Sequence, residues 1–377
     1  MRSFLRQSRF FVTLNFIILM YVNTLIHASI TITKSQTTTT PIAMLQEQVI
    51  SIEPSLNESN IMYAITMQSL LKINTDQHKI INRLDLGGSG TATLSSFALS
   101  PDGSELYLAD FLERSIKVVD LKTLQVSSEI KLPYAPGQIK VTKNNLLYTT
   151  QYFGVNPGSD NPKLMIVDLT TKTYKNGFLF GPFDSTHWGI DPGLIELNHD
   201  KTKLYYASYY LGLPTLSQFN ISGQEPVLEA QSNIQTMPAK SQIITALKTN
   251  PFKNVLFYAY SDLRLIGTPP LLRTNVRKII SNETQMEDNP YTQTAYAFDP
   301  GPAIAAQLDF NSHTQELVLN DKPGEIIAIS EASLSPQTHV LVNDPAIKEV
   351  KSLCLDTSGT HLYVATPLEI RIYLIRT

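Results

Sequence analysis

The stretch Leu94–Leu132 reads LSSFALSPDGSELYLADFLERSIKVVDLKTLQVSSEIKL. It divides into four short runs rich in β-branched, aromatic and aliphatic residues, separated by turn formers. Ser96–Leu99 is the first run, Glu105–Ala109 the second, Ser115–Asp120 the third and Val126–Leu132 the fourth. Between the first two, Pro101-Asp102-Gly103 has the chemistry of a tight turn, because Pro fixes φ, Asp bonds nearby amides and Gly supplies a positive φ. Short alternating runs bounded in this way are strands, so about forty residues encode one small four-stranded sheet.

The order recurs along the chain. The second run of each unit carries a large anchor: Tyr63, Tyr107, Tyr148, Tyr205, Phe257, Leu317 and Tyr363. The fifth unit is the least regular, with two short strands expected near 271–281 after Ile243–Lys248 and Val255–Tyr260. A small sheet cannot bury both of its faces alone, so repeats of this length stack around an axis as blades. The expectation is an all-β, single seven-bladed β-propeller of four-stranded antiparallel blades over residues 45–377. A β-sandwich would not need such a repeat.

Ser100-Pro101-Asp102-Gly103, followed by Leu106-Tyr107-Leu108-Ala109 and Ile116-Lys117-Val118-Val119-Asp120, resembles the YVTN β-propeller repeat. Leu204-Tyr205-Tyr206-Ala207 and Leu362-Tyr363-Val364-Ala365 are similar, more worn copies. The resemblance implies a propeller. It says less about function, since the wider YVTN repeat-like and quinoprotein amine dehydrogenase-like superfamily includes surface proteins, lactonases and dehydrogenase subunits.

The seventh unit shows three runs, Val350–Asp356, His361–Ala365 and Glu369–Leu374. An open ring would leave unpaired sheet edges, so the missing strand must come from elsewhere. Ser29–Lys34 alternates β-branched residues and is expected to pair with Glu369–Leu374, within a segment 29–44 that also holds a Thr-rich linker, Ser35–Thr40.

Composition narrows the function classes. Apolar residues make up 42% and charged residues 17% of the 377, so the chain can bury a large core. Thirty basic residues are scattered among 33 acidic ones, giving a net charge of -3 and no field for nucleic acid. Cys354 is the sole cysteine, so intrachain disulfides and thiolate zinc cages are excluded, and its apolar surroundings, Val350–Leu355, mark it as a core residue.

Arg2, Arg6 and Arg9 precede an apolar stretch from Phe10 to Ile26, then Ile26-His27-Ala28. That is the order of a secretory signal peptide, read as residues 1–28. The stretch would span about 25 Å as a helix, short of a hydrocarbon core of about 30 Å, so no stable membrane span is expected after cleavage; the alternative is an uncleaved N-terminal anchor. Sequons at Asn57, Asn220 and Asn282 agree with a secreted, glycosylated chain.

No HExxH, GxSxG or phosphate-loop motif is present. Polar and aromatic groups gather in Phe183–Gly193, which supplies Asp184, His187, Trp188 and Asp191. Long loops after other second strands add Tyr152, Tyr209, Tyr210 and Arg264 as a rim for a protein or small-molecule ligand. The leading expectation is a binding scaffold of the extracellular space. The alternative is a propeller enzyme, either a quinoprotein dehydrogenase-like subunit or a metal-dependent lactonase-like hydrolase using Asp184, Asp191 and Glu196 at the axial funnel. Cofactor and metal remain unassigned.

Overall fold

A strand that is apolar on both faces needs cover on both sides. Ile61–Thr66 is buried along its whole length, whereas Lys79–Asp85, two strands further out, is mostly exposed. Sheets stacked face to face, with one edge turned inward and the other toward solvent, produce this gradient.

The protein was analysed as a computed structural model, which describes residues 43–44, 48–86, 94–151, 164–178, 193–210, 213–223, 225–233, 241–263, 273–281, 286–287, 296–298, 307–332, 339–367 and 369–375. All lie in one unit, Thr37–Thr377. The described residues are all β and turn. A two-residue strand, β1 (Ala43–Met44), comes first. The first sheet is β2 (Val49–Pro54), β3 (Ile61–Thr66), β4 (Ser69–Asn74) and β5 (Lys79–Asp85). The second is β6 (Leu94–Leu99), β7 (Glu105–Asp110), β8 (Ser115–Asp120) and β9 (Gln125–Lys131). The third is β10 (Pro136–Val141), β11 (Leu146–Gln151), β12 (Leu164–Asp168) and β13 (Thr173–Phe178). The fourth is β14 (Leu194–Leu197), β15 (Lys203–Tyr210), β16 (Leu213–Asn220) and β17 (Val227–Asn233).

The fifth sheet differs. It has β18 (Ser241–Thr249), β19 (Val255–Leu263) and β20 (Arg273–Ser281), with β21 (Met286–Glu287) and β22 (Tyr296–Phe298) pairing with opposite ends of β20. The sixth is β23 (Leu308–Asn311), β24 (Glu316–Lys322), β25 (Glu325–Ser330) and β26 (His339–Asn343). The last joins β27 (Ser352–Leu355), β28 (His361–Ala365) and β29 (Glu369–Leu374) to β1. All pairings are antiparallel, and the arrangement is that of a β-propeller with four-stranded blades.

Two expectations about the strands need correction. The blades are not uniformly four-stranded: six sheets have four strands and the fifth has five. The two short strands expected near 271–281 are a single strand, β20, which pairs with the equally long β19 in continuous register from Arg273 to Ile280. Ser29–Lys34, expected to pair with Glu369–Leu374, lies with most of the 29–44 segment outside the described residues; of that segment, β1 pairs with β29, Ala43 opposite Ile370 and Met44 opposite Glu369.

Each sheet packs on the next through apolar side chains from both faces. Tyr63 meets Leu106, Tyr107 meets Leu147, Tyr148 meets Leu204, Tyr205 meets Leu256 and Phe257 meets Leu317, pairwise within successive clusters. Val318 then shares a cluster with Leu362, and Tyr363 one with Met62 of the first sheet. The sixth anchor is therefore Val318 and not Leu317. Leu317 stands opposite Phe310 and faces back toward the fifth sheet, while Val318 stands opposite Asp309 and faces forward. Without an aromatic residue in β24, sequence spacing could not fix the register, and a slip of one residue changes the face.

Candidate functional site at the axis

The first strands sit against one another: β2 lies between β6 and β27, β10 between β6 and β14, and β18 between β14 and β23. Their inner edges have no ladder partner, so their amides need other acceptors. Side chains of the preceding sheet supply several. Ile139 N donates to Ser96 Oγ (3.3 Å), Ile195 N to Gln138 Oε1 (2.6 Å), Leu355 N to Asp309 Oδ2 (2.7 Å) and Ile52 N, across the first and last sheets, to Ser352 Oγ (3.3 Å).

Each first strand ends in, or is directly followed by, a short polar residue whose side-chain oxygen accepts an amide of the turn or of the start of the second strand. These are Ser55, Ser100, Thr142, Asn198, Asn250, Asn311 and Asp356. The turn is most regular at Ser100, where Gly103 adopts φ +67° and Asp102 Oδ1 accepts from Ser100 Oγ (2.6 Å) and Ser104 N (3.1 Å). Those hydrogen bonds, led by the Ser100 hydroxyl, hold the Asp102 carboxyl below its ordinary range.

Two residues before each acceptor stands Glu53, Ala98, Lys140, Glu196, Lys248, Asp309 or Cys354. In register these face Tyr63, Tyr107, Tyr148, Tyr205, Phe257, Val318 and Tyr363 respectively. One position of the repeat thus carries a belt of side chains around the axis, near the mouth formed by the first turns. Lys140 pairs with Glu196 at 2.9 Å, and Lys248 with Asp309 at 2.6 Å. Among the described residues Glu53 makes no ion pair and no side-chain hydrogen bond.

Burial is the largest influence on both Glu53 and Lys248, yet Lys248 leaves 35% of its side chain accessible. Lys248 therefore keeps part of its surface open to solvent where the first strands meet. Burial pushes the Glu53 carboxyl above its ordinary range, opposed by Lys140 and Lys248 and reinforced by Glu196 and Asp309. For Lys248, burial works downward, but Asp309 and Glu196 outweigh it and the ammonium is held more firmly than usual. Lys201, at the turn of the fourth sheet, is shifted down by burial and by Lys143 and Lys140. Burial, then Asp309 and Glu53, keep the Cys354 thiol protonated, as its core location requires.

Of the sequence-derived site residues, Asp184, His187, Trp188, Asp191, Tyr152 and Arg264 lie outside the described residues, as does Asn282. Tyr209 is in β15, opposite Pro214, and Tyr210 is opposite Leu213. Asn57 is exposed and donates Nδ2–H to Asp102 O at 2.8 Å. Asn220 is half-buried and donates to Glu229 Oε1 at 2.9 Å. Of the belt, sequence reading singled out Glu196 alone and missed the other charged members. The belt's signal is an isolated charge inside an apolar strand, two residues before the turn acceptor, as in Ile139-Lys140-Val141 and Ile195-Glu196-Leu197.

No family model and no curated protein matches the chain. Solved structures do. A Kuenenia stuttgartiensis hydrazine synthase chain is similar with a TM-score of 0.64 at 13% identity, over 93% of this chain and 98% of that one. The β-propeller domain of Myceliophteria thermophila Cps50 (Swd1) is similar with a TM-score of 0.60 at 10% identity, over 90% and 100%. At such identities the likeness concerns fold alone.

Proposed function

We propose that the chain is a secreted, N-glycosylated, seven-bladed propeller of the YVTN type that serves as a binding scaffold, with the five-stranded fifth sheet as one of its blades. The observation that carries the scaffold reading is the state of Glu196. A lactonase-like site would need this carboxylate for a metal ion, but it is committed to Lys140 across two blades, as Asp309 is to Lys248 and Leu355 N. These groups hold blades together. Lactone and sugar-acid panels with calcium, magnesium or zinc test it: no turnover is expected, and turnover lost in Glu196→Gln overturns it.

Ring closure is supported by the pairing of β1 with β29, the Ile52–Ser352 hydrogen bond and the cluster that joins Met62 to Tyr363. Removing residues 29–36 is expected to leave the melting temperature unchanged. Removing residues 29–44 exposes the β29 edge and lowers it.

Secretion is supported by the Arg-flanked apolar start and by the sequons. Asn220 lies directly opposite Val227, which with Leu228 is 61% and 51% exposed. Directly opposed residues have Cβ atoms about 5 Å apart, so a glycan on Asn220 would cover an apolar patch that water otherwise meets. Intact mass of the chain from a eukaryotic host, before and after glycosidase, tests this: an unmodified chain that retains residues 1–28 overturns it.

A further inference from the structure

We propose that Glu53 anchors a binding site for a small organic cation, an alkylammonium or a guanidinium group, at the inner ends of the first strands. The inference goes beyond the scaffold reading and stands whether or not the chain is secreted.

The belt carries three acids and two lysines, and four of these five charges are satisfied as pairs: Lys140 with Glu196 and Lys248 with Asp309. Glu53 is left over. It is close enough to all four to feel their charge, yet among the described residues no ammonium forms an ion pair with it. Its neighbours around the belt are Ala98 on one side and Cys354 on the other, the two short, uncharged side chains of the ring. Short uncharged neighbours and an unmatched negative charge therefore coincide at one point of the circle. A lone carboxylate that stays deep in protein without a partner costs free energy, and a ligand cation that supplies the partner recovers it.

The class of cation follows from what else is in reach. A calcium or magnesium ion takes six or more oxygens, mostly from several carboxylates or carbonyls. Here the other two acids are held by lysines, and no group of three metal-ligating side chains occurs among the described residues. One carboxylate with nearby lysines suits a single monovalent head group. Guanidinium fits best, because it can meet both carboxylate oxygens with parallel N–H donors.

The test is isothermal titration of the full chain with methylguanidinium and propylammonium, with calcium alongside. Saturable binding of one organic cation is expected, weakened at least about tenfold in Glu53→Gln. Glu53→Asp, which keeps the charge but draws it back by one methylene, is expected to bind several-fold more weakly than the unaltered chain. The proposal is overturned if the unaltered chain shows no saturation up to about 50 mM, if Glu53→Gln or, should that variant not fold, Glu53→Asp binds as the unaltered chain does, or if calcium binds in preference.

Discussion

The second and fifth sheets solve the same packing problem with different means. In the second, β6 to β8 are six residues each and β9 seven, and the first turn relies on Gly103 at positive φ. In the fifth, β18, β19 and β20 are nine residues each, and the first turn, Asn250-Pro251-Phe252-Lys253, has no glycine. What replaces it is a bond to the next blade: Asn250 Oδ1 accepts from Phe252 N (2.7 Å) while its Nδ2 donates to Glu331 Oε2 (2.7 Å). Both sheets still place their turn acceptor, Ser100 or Asn250, and their belt residue, Ala98 or Lys248, at the same inner positions. The inner end is constrained by neighbours on both sides, and length varies away from it.

This difference sets the largest expected effect. Asn250→Ala removes an amide acceptor and also strips a donor from Glu331, a buried carboxylate whose remaining side-chain contact is Lys253 at 3.4 Å. Leaving a buried charge short of partners costs several kcal/mol at most, and because Lys253 remains, a loss of about 2–3 kcal/mol is expected. In the second sheet, Ser100→Ala removes only the acceptor for Glu105 N and the hydroxyl donor to Asp102, and about 1–2 kcal/mol is expected. Denaturant unfolding of both variants ranks them. If Ser100→Ala were the more damaging, the fifth sheet would not depend on its bond to Glu331.

Gly103→Ala is next, at about 1 kcal/mol, for a non-glycine residue at positive φ. A Cβ there would come within 2.6 Å of Asn57 Nδ2, but that amide ends a movable exposed side chain, so the backbone cost dominates. The check is the same unfolding measurement with Asn57→Ala added: most of the loss should persist in the double variant.

Much of this was legible. The turn Ser100–Gly103 and the strand Leu106–Ala109 gave the repeat, and aromatic anchors marked the second strand of every sheet but the sixth. Val318 was passed over for Leu317 because aliphatic neighbours in a strand that is buried on both faces carry no periodic signal. The belt was less visible because each sheet contributes one residue, and because opposite signs only become meaningful once Lys140 is seen beside Glu196. In the loop Phe183–Gly193 the chemistry-bearing residues are adjacent in sequence and therefore conspicuous, whereas the belt gathers its residues from separate repeats.

Tyr148 and Tyr107 occupy equivalent positions but differ in one atom's surroundings. Tyr107 Oη donates to Glu105 (2.9 Å), whereas Tyr148 Oη is buried without a hydrogen-bond partner, and burial raises its hydroxyl to about 12. Removing an unsatisfied buried hydroxyl is neutral or favourable by up to about 1 kcal/mol, while removing a bonded one costs about as much. Tyr148→Phe should therefore melt at or above the temperature of the unaltered chain, and Tyr107→Phe below it.

The smallest effect is also the one with a definite pH signature. Glu53 has its carboxyl raised in the folded state, chiefly by burial, above the ordinary value of 4.5 that it returns to on unfolding. The folded chain then holds that proton more tightly than the unfolded chain, so this group's contribution is fully present below about pH 4.5 and is lost as pH rises through the folded value. Glu53→Gln keeps the shape and removes the charge. At neutral pH the variant should melt slightly higher than the unaltered chain, and the gap should close as pH falls toward the ordinary glutamate range. Melting curves of both proteins from pH 4 to pH 8 read this directly: a gap that is independent of pH, or one that opens on acidification, would show that Glu53 is not the isolated carboxylate of the belt.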